Sequence, residues 1–218
     1  MISKLICVDV GGTLGHAETP SLAAILAAAS PLGARRAREI MRERLHTVPA
    51  ITDSVKRDVC SALMIPVSTF PEHVAAPALR LVPEAVGVLR QLSALGTVVT
   101  LSNVTCLEAD TESLSRHLQP WVSDHFPSCR IGYSKPDPRA FLVAAARFDV
   151  PASRMIHIGD DWDCDVVGAT GVGAIAIWIS HGRSVPDNHM AASQDVLVAD
   201  NLADVVDHVR SLFTGRPA

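Results

Sequence analysis

Four clusters of polar residues together hold the groups that phosphoryl transfer requires. Asp9-Val10-Gly11-Gly12-Thr13 follows an apolar run at 5–8, Ser102-Asn103 follows one at 97–101, and Gly159-Asp160-Asp161 with Asp165 follows one at 155–158. The fourth, Lys135-Pro136, lies just before an Asp137-Pro138 helix start. A carboxylate such as Asp9 can attack phosphorus to give an aspartyl-phosphate, splitting one hard displacement into two. Lys135, the Ser102 hydroxyl and backbone N–H groups around Gly11 and Gly12 can bind the transferring group. Asp9 and Asp160 offer the hard oxygen ligands that Mg²⁺ prefers, with water completing the octahedron. Each cluster alone reads as a turn, a helix cap or a solvated face; their ordered occurrence along one chain points to a site.

The elements that must position these residues are short apolar runs at 5–8, 97–101, 155–158, 174–179 and 196–198, mostly separated by helical patterns. A helix is predicted over 83–95, with Pro83 in its first turn, Val86, Leu89, Leu92 and Leu95 along one stripe, and Gly96 at its end. Another is predicted to start at the Asp137 N-cap and to bury Phe141, Leu142 and Ala145. This alternation predicts an α/β core, a doubly wound, Rossmann-like parallel sheet in a three-layer αβα arrangement. Ligands of such sheets bind beyond the carboxyl ends of the strands, where the first three clusters fall.

The stretch 15–80 shows no strand pattern. Helical patterns run over 22–29, 34–45 and 54–64, with a shorter segment near 72–76, punctuated by Pro31, Pro49, Pro66 and Pro71. The expected organisation is therefore a catalytic core of residues 1–14 and 81–218 with a helical cap domain of 15–80, ending in a loose tail over 214–218.

Composition narrows the classes. With 48% hydrophobic and 19% charged residues the chain is expected to be globular. A net charge of −4 supplies no electrostatic footprint for phosphate backbones, so nucleic acid is not the expected partner. Five cysteines, an odd number without CxxC spacing, argue against a disulfide framework or zinc site and for reduced thiols. No run approaches the roughly 20 apolar residues of a membrane span, and the first residues do not read as a signal peptide, so a cytoplasmic location is expected.

Over nearly its whole length the chain resembles the haloacid dehalogenase superfamily. VDVGGTL resembles the first motif, TLSN the second, SKPDP the third and GDDWDCDVVGA the fourth. The resemblance implies Asp9 as nucleophile and metal ligand, the Gly11 carbonyl and Asp160 as further ligands, and Ser102 and Lys135 as phosphate-binding groups. Gly12, Thr13 and Asn103 complete the phosphate contacts, Asp165 steadies the Mg²⁺ or its waters, and Asp161 assists. The helical insertion resembles the cap that many members place after the first motif, where it contacts a small phosphorylated substrate and excludes water.

One position departs from the pattern. Phosphatases of this superfamily carry a second aspartate two residues after the nucleophile as general acid and base, and here that residue is Gly11. His16 or Glu18 is a candidate substitute, and a substrate with a good leaving group needs none. The alternatives are a metal-free dehalogenase, a phosphonoacetaldehyde hydrolase with Lys56 as Schiff-base lysine, or a non-catalytic phosphate-binding or partner-binding protein. DVGGT also resembles the phosphate turn of sugar kinases, but helices rather than a β-hairpin are expected after it.

Overall fold

The computed structural model describes residues 4–74, 78–186 and 196–214. Its strands are β1 (Leu5–Val8), β2 (Gly15–Ala17), β3 (Leu79–Leu81), β4 (Thr97–Ser102), β5 (Asp124–Pro127), β6 (Met155–Gly159), β7 (Ile175–Ile179) and β8 (Leu197–Ala199). Six of them form a parallel sheet in the order β5-β4-β1-β6-β7-β8, which is the doubly wound α/β core expected. The chain leaves β1 for β4 on one side and later returns to β6 on the other. The crevice beyond the end of β1 is thus the topological switch point, where such sheets bind ligands.

Side-chain alternation along β1 divides the core between the two faces. Ile6 and Val8 pack with α4 (Ala85–Ser93) and α9 (Val205–Thr214) through Val88, Leu89, Leu92 and Val209. Leu5 and Cys7 pack on the opposite face with Phe141 and Ala144 of α7 (Pro138–Arg147). Asp137 caps α7 through the Arg139 N–H at 2.8 Å, as expected. Leu142, expected to be buried, is instead an exposed residue of that helix, because the apolar stripe runs through Phe141, Ala144 and Ala145.

Two expectations are corrected. The strand β5 has no apolar run; Asp124 and His125 begin it, and it lies at the sheet edge, paired only with β4. The stretch 15–80 is also not free of strands. β2 and β3 pair antiparallel, with Gly15 opposite Leu81, and form a two-stranded ribbon through which the chain enters and leaves the helices. Between them lie α1 (Leu22–Ala29), α2 (Ala34–Arg44) and α3 (Asp53–Ala62), closed around their own apolar cluster of Leu22, Leu26, Ile40, Met41, Leu45 and Leu63. The segment near 72–76 is not helical where described, and a 3₁₀ turn at Val67–Thr69 precedes it. Residues 75–76 of that segment, and 215–218 of the expected tail, lie outside the described residues. No helix among the described residues is long and apolar enough to cross a membrane.

Candidate active site

Each polar cluster arrives at the sheet's carboxyl edge by a separate local device. Asp9 follows β1, and its N–H donates to the Ile158 carbonyl at 2.8 Å, continuing the ladder one residue beyond the strand. Ser102 is the last residue of β4. Asn103 holds the third motif by a two-way clamp: its Nδ2 donates to the Lys135 carbonyl and its Oδ1 accepts the Lys135 N–H, both at 2.8 Å. Asp160 follows β6, and the chain then enters a π-helical turn, Trp162–Val167, capped by the Asp161 side chain on the Cys164 N–H. This turn carries Cys164 and Asp165 back toward Asp9.

The result is a cavity of about 260 Å³ lined by Asp9, Gly11, Ser102, Asn103, Lys135 and Asp160, among others. Lys135 is 1% exposed and donates to Asp9 Oδ1 at 2.6 Å and to Asp165 Oδ1 at 2.7 Å. Burial pushes the Asp9 carboxyl up to about 7, against the pull of Lys135. Burial opposes charge on Lys135 as well, but Asp165 and Asp9 outweigh it and raise its pKa. Burial would raise Asp165 too, yet Lys135 and the His157 hydrogen bond outweigh it and hold its carboxyl below the usual range.

Asp9, Asp160 and Asp165 offer oxygens that all lie within 4.8 Å of one another. Burial, then the neighbouring Asp165, raises Asp160. Both carboxylates are raised chiefly by burial, with other carboxylates close by, and their oxygens are the donors a hard divalent cation takes. These residues fit Mg²⁺. Two glycines make the cluster possible. A Cβ on Gly159 would stand 2.2 Å from the Asp165 carboxyl carbon, and one on Gly12, whose φ is +88°, would stand 2.4 Å from Asp160 Oδ1.

Several expected phosphate contacts are placed elsewhere. The Gly12 N–H already donates to the Gly15 carbonyl at 2.8 Å, which closes the turn and leaves no donor for a ligand. Thr13 is buried and does not line the cavity. Gly11 is exposed and does line it. His16 sits on β2 opposite Arg80 and Glu18 just beyond, both exposed, and neither lines the cavity. Lys56 lies on α3, 3.8 Å from Asp53 and above the Phe70 ring, outside the cavity lining.

Other contributors had little or no signal in the chain. His157, fully buried in β6, places Nε2 2.9 Å from Asp165 Oδ1 and packs edge-on against Phe141; a polar residue inside the apolar run 155–158 was its one trace. Arg183 and the Trp178 indole both donate to the Asp160 carbonyl, at 2.7 and 3.0 Å. From the helical block, Arg42 Nη1 reaches Cys164 Sγ at 3.6 Å, and the Arg42 carbonyl accepts the Ser134 hydroxyl at 2.9 Å. The Leu22 N–H donates to Glu108 Oε1 at 2.7 Å, a second tie between block and core.

Known proteins resemble this chain in sequence and in fold. A model of the family described as HAD-hydrolase-like matches residues 132–205, the portion that carries the third and fourth motifs. A phosphoserine phosphatase of Thermus thermophilus is 29% identical over 187 residues, covering 84% of this chain and 68% of that protein. A glyceraldehyde 3-phosphate phosphatase of Methanopyrus kandleri is 32% identical over 84 residues, which is 38% of this chain and 36% of the relative. Among solved structures, a 2-haloacid dehalogenase from Pseudomonas syringae superposes with a TM-score of 0.62 at 21% identity, covering 97% of this chain and 100% of that one. A predicted phosphoglycolate phosphatase from Haemophilus somnus superposes at 0.61 with 18% identity, covering 94% and 97%. Over residues 132–205 the chain resembles the HAD-hydrolase-like family, and its parallel sheet has the fold of these solved structures.

Proposed function

We propose that the protein is a Mg²⁺-dependent phosphohydrolase of a small organic phosphate, with Asp9 as nucleophile. The observation that carries this reading is the Lys135 ammonium 2.6 Å from Asp9 Oδ1 in a cavity that also holds Ser102 and Asp160. Asp9 attacks phosphorus as the leaving-group oxygen departs, and water then cleaves the aspartyl-phosphate. Lys135 and Ser102 bind the equatorial oxygens, and Asn103 fixes Lys135 through its backbone. Asp9, Asp160, Asp165 and the Gly11 carbonyl hold the Mg²⁺, which supplies positive charge to the transferring group. Residues 15–80 act as a cap domain that limits water and contacts the substrate.

The phosphatase reading is favoured over a metal-free dehalogenase by the three converging carboxylates, and the two phosphatase relatives support it. The phosphonoacetaldehyde reading has less support, because Lys56 faces Asp53 and Phe70 rather than the cavity. Gly11 leaves no carboxyl at the usual acid/base position, and neither His16 nor Glu18 lines the cavity to replace it. The reaction is therefore assigned to substrates whose leaving group needs little protonation. The test is phosphate release across esters spanning leaving-group pKa. It is expected to require Mg²⁺, to vanish in Asp9→Asn and to favour acyl and aryl phosphates. No turnover of any ester with Mg²⁺ would remove the proposal.

A further inference from the structure

The proposed Mg²⁺ site draws on three carboxylates, and the buried lysine holds only two of them. Lys135 donates to Asp9 at 2.6 Å and to Asp165 at 2.7 Å. Asp160 lies outside that arrangement, and among the described residues its one ion pair is with Arg183, whose Nη2 stands 3.4 Å from Asp160 Oδ2. The same Nη2 donates to the Asp160 carbonyl at 2.7 Å, and the Trp178 indole donates to that carbonyl at 3.0 Å. On the other side of this peptide the Asp161 N–H donates to Asp165 Oδ2 at 2.9 Å. The Asp160–Asp161 peptide is therefore held at both its oxygen and its hydrogen, by groups from β7, the turn after it and the π-helical turn.

Arg183 is itself built into place. Its N–H donates to the Ser180 carbonyl at 3.0 Å, closing a turn in which His181 and Gly182 have φ of +49° and +75°. Positive φ at both central residues is what a type I′ turn requires. Nε donates to the same Ser180 carbonyl at 2.8 Å and Nη2 to the Ile179 carbonyl at 3.2 Å, so the guanidinium lies folded over its own turn where it meets Asp160. From the same turn, His181 Nε2 donates to the Gly12 carbonyl at 3.0 Å. One turn thus grips both the loop that carries Asp9 and the residue that follows β6.

Charge and position act in opposite directions here. A guanidinium beside a cation site repels the cation, so charge alone would have Mg²⁺ bind more tightly once Arg183 is gone. The Arg183 side chain is half exposed, which screens that repulsion, whereas losing a hydrogen bond behind a metal ligand costs roughly 10- to 100-fold in affinity. We infer that Arg183 is a positioning residue for the metal site, holding Asp160 through its carbonyl and Oδ2 so that the carboxylate meets Mg²⁺ already ordered. This rests on the Mg²⁺-dependent reading above.

The experiment titrates Mg²⁺ calorimetrically into the wild type and Arg183→Gln, with thermal melts of both in EDTA and turnover of p-nitrophenyl phosphate followed against Mg²⁺ concentration. Arg183→Gln is expected to weaken Mg²⁺ by roughly 10-fold or more and to raise the half-maximal Mg²⁺ for turnover by the same factor, with kcat recovered at saturating Mg²⁺. A merely structural role would lower the metal-free melting temperature and leave Mg²⁺ affinity where it was. Mg²⁺ bound by Arg183→Gln as tightly as by the wild type, or more tightly, overturns the inference, while wild-type turnover keeps the phosphatase reading. Where Arg183→Gln does not fold, Arg183→Lys decides: it keeps the charge and loses the fork, so weakened Mg²⁺ supports positioning and unchanged Mg²⁺ overturns it. Arg183-dependent Mg²⁺ binding without turnover of any ester supports the inference and removes the phosphatase. A wild type that binds no Mg²⁺ removes both.

Discussion

Lys135 Nζ donates to Asp9 Oδ1 across 2.6 Å, with both side chains nearly excluded from solvent. The same ammonium is 2.7 Å from Asp165 Oδ1, so a single buried cation separates two buried carboxylates. Removing it would leave those carboxylates facing each other without compensation. Lys135→Met is expected to destabilise the Mg²⁺-free protein by about 3–5 kcal/mol in denaturant unfolding and to abolish phosphate release. Adding Asp9→Asn to Lys135→Met should restore part of the stability and none of the activity. Additive losses in the double variant would show that the two residues are not coupled.

The missing carboxyl at position 11 can be supplied. Gly11 does not have a positive φ, and a Cβ built on it meets nothing within 4 Å. Gly11→Asp should therefore leave stability within about 0.5 kcal/mol of the wild type. If only the general acid is absent, the variant should hydrolyse alkyl phosphates roughly 10²-fold faster or more. Gly12→Ala makes the contrast: its φ of +88° and its 2.4 Å approach to Asp160 Oδ1 allow no side chain without displacing that carboxylate. Loss of both stability and Mg²⁺ response is expected there. An inert, well-folded Gly11→Asp would locate the defect elsewhere than in proton transfer.

Metal binding should be visible without turnover. A ligand that binds only the folded state stabilises it by about 2.7 kcal/mol at 100 times its dissociation constant. Mg²⁺ is accordingly expected to raise the melting temperature of the wild type, and Asp160→Asn, which removes one of the three converging carboxylates, to remove most of that rise. A melting temperature unresponsive to Mg²⁺ across the millimolar range would count against the metal site.

Sheet and site differ in how far they can be read along the chain, and the reasons are physical. β1, β4, β6 and β7 are interior strands, buried on both faces, so each is a nearly continuous apolar run. β5 pairs on one side only and tolerates Asp124 and His125, which leaves no run to recognise. The ribbon β2–β3 joins residues more than sixty positions apart, and each half is three residues long, below any periodic signal. Asp9, Ser102 and Asp160 were conspicuous because a polar residue directly follows an apolar strand. Arg42 was not, because one arginine of an Arg-rich helix gains its place only when α2 packs against Cys164. Gly12 shows the opposite error: the residue type suggested a phosphate cradle, but the turn itself uses its N–H.

His46, half-buried beside Arg42, provides a test by pH. Burial, reinforced by the Arg42 charge, lowers its pKa from 6.5 to about 4, and its Nδ1 has no hydrogen-bond partner among the described residues. The folded protein therefore keeps His46 neutral while the unfolded chain takes up a proton below pH 6.5. Between about pH 6.5 and 4 the unfolded state binds more protons, so this residue's contribution falls as pH falls, by about 2 kcal/mol on reaching pH 5. Asp9, with its raised pKa, acts with the opposite sign over much of the same range, so the net wild-type curve is not diagnostic. The difference between wild type and His46→Leu is. The leucine leaves no buried nitrogen unpaired and takes up no proton, so its stability relative to the wild type should rise by about 2 kcal/mol between pH 8 and pH 5. Parallel curves for the two proteins in urea unfolding would mean that His46 is protonated within the fold.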